Sequence, residues 1–196
     1  GSTGMASSFN LTSINTGSTS EDFIYTLTSD APGDWTGGFT VNATPFTTTG
    51  TVTTAAGATN NIGINVTPGS TPAVATYTRT VSSSSTPSAS SRGKKVYVIS
   101  NVTDLVVNNS GAPGAATTGA ASSWSSVYTS GLTAAGNTHF AATSDLISKE
   151  LGASAALTDV NNIYYNVGWT FPSLEAAELP YLESFLDAGG NLFIAG

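Results

Sequence analysis

Two domains of different class are predicted for this chain: an all-β sandwich, then a three-layer α/β sheet. Three observations predict the division. From Phe9 to Val81, short strand-like runs recur at roughly ten-residue spacing with no helical segment among them. A Ser-rich low-complexity stretch, 83–93, interrupts the pattern. Beyond it, strands alternate with segments of helical spacing, the mark of βαβ units.

Residues 1–8, GSTGMASS, read as a linker or tag, because they lack the charged start and apolar core of a signal peptide. The sandwich occupies 9–82. Its expected strands are Phe9–Ile14, Asp22–Thr28, Trp35–Val41, a Thr-rich pair within Phe46–Thr53, Asn61–Val66 and Ala73–Val81. Turn-forming clusters separate them, among them Asp30-Ala31-Pro32-Gly33-Asp34 and Pro68-Gly69-Ser70. Tyr25, Trp35, Phe39 and Tyr77 are the expected core of this small domain.

The α/β domain is expected over 94–196. Lys94–Ser100 is its expected first strand, with Asn101–Thr118 a long loop and Ser122–Ala135 a helix. His139–Ala142 is the second strand, Ser144–Leu151 a short helix and Asn162–Val167 the third strand. Ser173 stands where an N-cap belongs, and Leu174, Ala177, Tyr181, Leu182 and Phe185 share one helical face. Pro180 predicts either a kink or a regular helix that begins near Leu179. Gly189-Gly190 stops that helix, and Asn191–Ala195 is the fourth strand, apolar as a parallel strand covered on both faces should be. Right-handed crossovers arrange these strands 2-1-3-4. The sheet is C-terminally incomplete on this reading, because NLFIAG would be an uncovered apolar edge.

Composition narrows the function. Charged residues are 9% of the chain, and 58 of its 196 residues are Ser or Thr. That balance suits an extracellular or cell-surface setting. The net charge is −7 with five basic residues, so no basic surface exists to neutralise the phosphates of a nucleic acid. No apolar run is long enough to insert in a membrane. The absence of cysteine excludes thiolate metal sites and a cysteine nucleophile within these residues.

Motifs with chemistry are sparse. His139 is the single histidine and stands at the start of an expected strand, away from the end where such sheets place ligands, so it is read as structural. Ser110-Gly111-Ala112-Pro113-Gly114 lacks the Lys-Ser/Thr ending of a phosphate loop. Glu21, Asp22, Asp30 and Asp34 match no calcium-loop spacing and are read as turn residues. Asn10, Asn42, Asn65, Asn101 and Asn108 begin Asn-X-Ser/Thr triplets, which a Thr-rich chain produces by chance, and no glycan is expected on them. No catalytic residue, metal or cofactor is expected. Open α/β sheets bind ligands beyond the carboxyl ends of their strands, at the switch point. The candidates there are Ser100, Asn101, Thr103 and Asp104 after the first strand, and Asn166 and Trp169 after the third. They would offer amide and hydroxyl groups, with an indole for stacking, to a small anionic or sugar-like ligand.

Two phrases carry a resemblance. FIYTLTSDAPGDWTGGFTVN with INVTPGSTPAVATYTRTV resembles the immunoglobulin-like modules of secreted Bacteroidota proteins exported by the type IX system. VNNIYYNVGWTFPSLEAAELPYLESFLDAGGNLFIAG resembles their flavodoxin-like, class I glutamine-amidotransferase-like modules. Low charge, no cysteine, a Thr-rich β module and no assembled catalytic set point to a non-enzymatic segment of a larger exported protein, acting as spacer, adhesion or assembly module. Its implied partners are other segments of a longer parent chain, neighbouring copies and glycans. Two alternatives stay open: a fragment of an amidotransferase-like or cysteine-peptidase-like hydrolase whose nucleophile lies beyond Gly196, and a subunit of an extracellular filament.

Overall fold

The computed structural model describes residues 2–86, 92–109, 125–144, 146–147, 159–168 and 170–196. They form two compact units, one built from 1–71 with 75–98 and the other from 72–74 with 99–196.

The first unit is a β-sandwich. Its strands are β1 (Ser7–Ile14), β2 (Glu21–Ser29), β3 (Thr36–Val41), β4 (Thr44–Phe46), β5 (Thr49–Thr54), β6 (Thr59–Thr67), β7 (Ala73–Ser83) and β8 (Arg92–Ser100). One sheet runs β1-β6-β3-β4 and the other β5-β2-β7-β8. Period-2 alternation turns one face of each strand inward. In β6 the inward set is Asn60, Ile62, Ile64 and Val66; in β7 it is Ala75, Tyr77, Arg79 and Val81. The expected core aromatics Tyr25, Trp35, Phe39 and Tyr77 are all buried. The sheets approach closely where side chains are missing: a Cβ on Gly37 of β3 would lie 2.5 Å from the Tyr77 ring of β7. Tyr25 of β2 reaches across to the other sheet, where its hydroxyl meets Asn60 Nδ2 at 2.7 Å and Ser13 Oγ at 2.9 Å.

A two-residue turn joins β3 to β4, with Val41 opposite Thr44. Both turn residues have positive φ, Asn42 at 48° and Ala43 at 69°, as a type I′ turn requires. Asn42 fixes the turn to β6: its Nδ2 donates to Asn60 Oδ1 (2.8 Å), and its Oδ1 accepts from Asn61 N (2.9 Å).

The second unit holds a four-stranded parallel sheet. Its strands are β9 (Asp104–Asn108), β10 (His139–Thr143), β11 (Asn162–Asn166) and β12 (Asn191–Ala195), in the order β10-β9-β11-β12. Helices α1 (Ser125–Ala134) and α2 (Leu179–Asp187) complete the described elements. The helices lie on opposite faces. Tyr164 and Tyr165 are consecutive in β11 and point opposite ways. Tyr164 meets Tyr128 of α1, with ring centroids 6.0 Å apart. Tyr165 donates to the carboxylate of Glu178, the residue directly before α2.

The order 2-1-3-4 is present, but its first strand is a different segment. Lys94–Ser100 lies within β8, which joins β7 in the sandwich sheet rather than opening the parallel one. The central parallel strand is β9, within the stretch expected to be a loop. Leu105, Val106 and Val107 are fully buried, yet three apolar residues between Asp104 and Asn108 are too few to show a period. The last helix follows the second of the two alternatives for Pro180, and the correction falls on Ser173. The helix begins at Leu179 with Pro180 in its first turn, where the missing N–H is harmless. Ser173 therefore caps nothing; its Oγ donates to Thr170 O at 3.3 Å. The helix expected over Ser144–Leu151 falls mostly outside the described residues, as does the loop Ser110–Gly114.

Candidate functional site

The parallel sheet has a polar row at each end. Register places His139, Asp104, Asn162 and Asn191 side by side at the amino end, and Thr143, Asn108, Asn166 and Ala195 at the carboxyl end. Four steps of about 3.3 Å separate the rows, or roughly 13 Å.

The amino-end row is a hydrogen-bonded ladder. Asn191 Nδ2 donates to Asn162 Oδ1 (3.0 Å), and Asn162 Nδ2 donates to Asp104 Oδ1 (2.9 Å). Thr103 Oγ1 lies 2.7 Å from Asp104 Oδ2 and 2.8 Å from the Thr138 carbonyl. Asp104 is buried, so these donors replace the water its carboxylate has lost. His139 Nδ1 sits 3.0 Å from the Asn137 carbonyl, the geometry of an Nδ1–H donor closing the preceding turn. This end ties strand starts together.

The carboxyl end is where a parallel sheet presents a ligand crevice. Asn166 Nδ2 donates to Asn108 Oδ1 at 2.7 Å. Asn109 follows β9 and is buried; its Nδ2 donates to Ser173 O at 3.0 Å, and its carbonyl accepts from Thr170 Oγ1 at 2.8 Å. Among the described residues, Asn109 Oδ1 and the buried Ser100 Oγ have no hydrogen-bond partner. Gly168, with φ 52°, turns the chain after β11.

The six expected site residues therefore do not form one cluster. Thr103 and Asp104 are at the amino end, because β9 begins at Asp104 instead of ending before Ser100. Ser100 closes β8, and Asn101 follows it with φ 58°. Asn166 alone stands at the expected carboxyl end, and Trp169 lies outside the described residues. The neighbours of Asn166 are Asn108 and Asn109, which sequence reasoning placed in a loop. The signal available was the pair of Asn directly after Leu105-Val106-Val107. The side-chain amides here are spent largely on one another and on backbone carbonyls, so what the arrangement does is hold the loops after β9 and β11 together.

Tyr165 and Glu178 make a buried polar pair behind this end. Burial first, then the hydrogen bond and the charge of Glu178, push the Tyr165 hydroxyl far above the ordinary phenol range, so it donates and does not ionise. Glu178 Oε2 accepts from Glu175 N at 2.7 Å. In the sandwich unit Asp22 of β2 and the loop residues Asp30 and Asp34 each have their own partner. Asp30 Oδ1 accepts from Thr76 N (2.6 Å), Asp34 Oδ2 from Thr71 N (2.9 Å) and Asp22 Oδ1 from Thr53 Oγ1 (2.5 Å). Among the described residues no three His, Cys, Asp or Glu side chains are grouped to hold a metal.

No protein-family model and no curated protein matches the sequence. Two solved structures are similar to half of this chain. One is the ASH/PapD-like domain 7 of human CEP192, at 14% identity, with 73% of that chain covered and a TM-score of 0.32. The other is SSP-19, an MSP-domain protein-like family member of Caenorhabditis elegans, at 10% identity, with 86% covered and a TM-score of 0.27. The sandwich assignment rests on its own strand pairing and core, which stand without these likenesses.

Proposed function

We propose that this chain is a non-enzymatic segment of a larger exported cell-surface or extracellular protein: an immunoglobulin-like module followed by a flavodoxin-like, amidotransferase-like module that serves in spacing, adhesion or assembly. The observation that carries the reading is the carboxyl end of the parallel sheet. There Asn108, Asn109, Asn166, Thr170 and Ser173 bond mostly to one another or to nearby carbonyls, with Asn109 Oδ1 alone of these groups left over among the described residues, which is how a scaffold end is built. Low charge and abundant Thr support an extracellular setting, and the quoted phrases support origin in a type IX secretion cargo. Partners on this reading are further segments of the parent chain, neighbouring copies and glycans.

The purified chain applied to arrays of glycans and extracellular matrix proteins tests it. Saturable binding to a defined surface is the expected result for adhesion. Turnover of glutamine or peptide amides by the same preparation would overturn the non-enzymatic reading in favour of the hydrolase.

A further inference from the structure

Arg79 is the least expected residue inside the sandwich. Strand alternation puts it on the inward face of β7 between Tyr77 and Val81, and it is 3% exposed. Its Nε and Nη1 are buried without a hydrogen-bond partner among the described residues. A guanidinium stays charged in a protein and carries five donors. Leaving it buried and uncompensated costs several kcal/mol in general, which a fold retains when something else supplies the acceptor.

A groove of about 1060 Å³ opens onto this side chain. Leu11, Ile62 and Val81 give it an apolar floor, and Asn10, Thr12 and Ser13 line it with amide and hydroxyl groups. Arg92 and Lys94 of β8 stand at its margin, both exposed. No Asp or Glu is present among the described residues lining it. The whole chain has five basic residues and a net charge of −7. Three of the five, Arg79, Arg92 and Lys94, line this one groove. Burial also weakens the proton affinity of Arg79, and a bound anion would restore it.

We infer that the groove between β1, β6, β7 and β8 is a binding site for an acidic sugar, with the carboxylate of a uronic acid residue received by Arg79 and steered by Arg92 and Lys94. The planar guanidinium matches a carboxylate through paired N–H donors. The hydroxyl and amide groups of Asn10, Thr12 and Ser13 suit the ring hydroxyls, and Leu11, Ile62 and Val81 suit the apolar ring face. The site lies wholly within the sandwich unit and does not depend on the exported-module reading.

Calorimetric titration of the full chain with glucuronate, glucose and acetate tests it. Glucuronate is expected to bind at least about tenfold more tightly than either of the others, since only it combines charge with ring hydroxyls. Arg79→Gln is expected to abolish binding, and the pair Arg92→Gln with Lys94→Gln to weaken it and flatten its dependence on salt. Glucose or acetate binding as well as glucuronate would overturn the inference, as would unchanged binding in Arg79→Gln. Should that variant fail to fold by circular dichroism, the exposed pair decides: unchanged affinity and salt dependence there overturns the site. A negative result leaves array binding elsewhere on the chain untouched, so the two proposals fail separately.

Discussion

Each oxygen of the Glu178 carboxylate accepts a bond: Oε1 from the buried Tyr165 hydroxyl and Oε2 from Glu175 N, which is partly exposed. Glu178→Ala orphans the Tyr165 hydroxyl in a buried setting, and is expected to destabilise the protein by about 1–3 kcal/mol in chemical denaturation. The reverse case is Arg79. Arg79→Met removes a buried charge whose Nε and Nη1 have no hydrogen-bond partner among the described residues, and should raise stability by about 1–3 kcal/mol while removing anion binding. A variant less stable than the parent would argue that Arg79 is already compensated. Two surface carboxylates set an acid dependence. Hydrogen bonds from Ser83 and Ser85 hold Glu21 below its ordinary 4.5, and the Thr71 N–H holds Asp34 below its ordinary 3.8. The unfolded chain takes up these protons first as pH falls. Their stabilisation is therefore complete above about pH 4.5 and is lost as pH drops through the lower native values. The double variant Glu21→Gln with Asp34→Asn should flatten the acid limb of stability between about pH 5 and pH 3; an unchanged slope would show that other groups set it.

At the scale of elements, the β3–β4 turn carries a correctable cost. Ala43 sits at φ 69° where a Cβ is disfavoured. Ala43→Gly makes the favoured Asn-Gly turn and should stabilise the sandwich by about 0.5–1 kcal/mol in thermal unfolding. Gly37→Ala should do the opposite, by about 1–3 kcal/mol, since its Cβ would press on the Tyr77 ring. Strands with clean alternation were legible as sequence. FIYTLT and VATYTRTV gave β2 and β7 with their core aromatics, and Asn191–Ala195 gave β12 to the residue. Legibility failed where an element's neighbours, and not its own pattern, decide its state. DLVVN is a strand because β10 and β11 flank it on both sides. KKVYVIS was correctly read as extended, but nothing local says which sheet it joins. That single misassignment moves Thr103 and Asp104 from one end of the parallel sheet to the other, and leaves Ser100 and Asn101 at the end of β8. Arg79 was overlooked for a related reason. Its inward position follows from the same alternation that placed Tyr77, but an Arg at an inward position draws attention only when its missing acceptors can be seen.

For the whole molecule, β8 is the strand that matters. Its residues 92–98 belong to the first unit and 99–100 to the second, so the Ser-rich stretch before it separates two strands of one sheet instead of two domains. A fragment ending at residue 86 would expose the edge of β7, whereas one ending at residue 100 keeps β8 in place. The shorter fragment is expected to melt several degrees lower, as the loss of about 1–2 kcal/mol from a domain of this size implies. Equal melting temperatures would show that β8 contributes nothing to the sandwich.

Connectivity through β8 also has a mechanical consequence. β8 is hydrogen-bonded to β7 at the edge of the sandwich sheet, so a pull along β8 loads the β7–β8 ladder. Arg92 and Lys94 ride on the same strand. A pull strong enough to peel β8 away would carry both cations off the groove and leave Arg79 facing solvent, which makes grip on an anion depend on force.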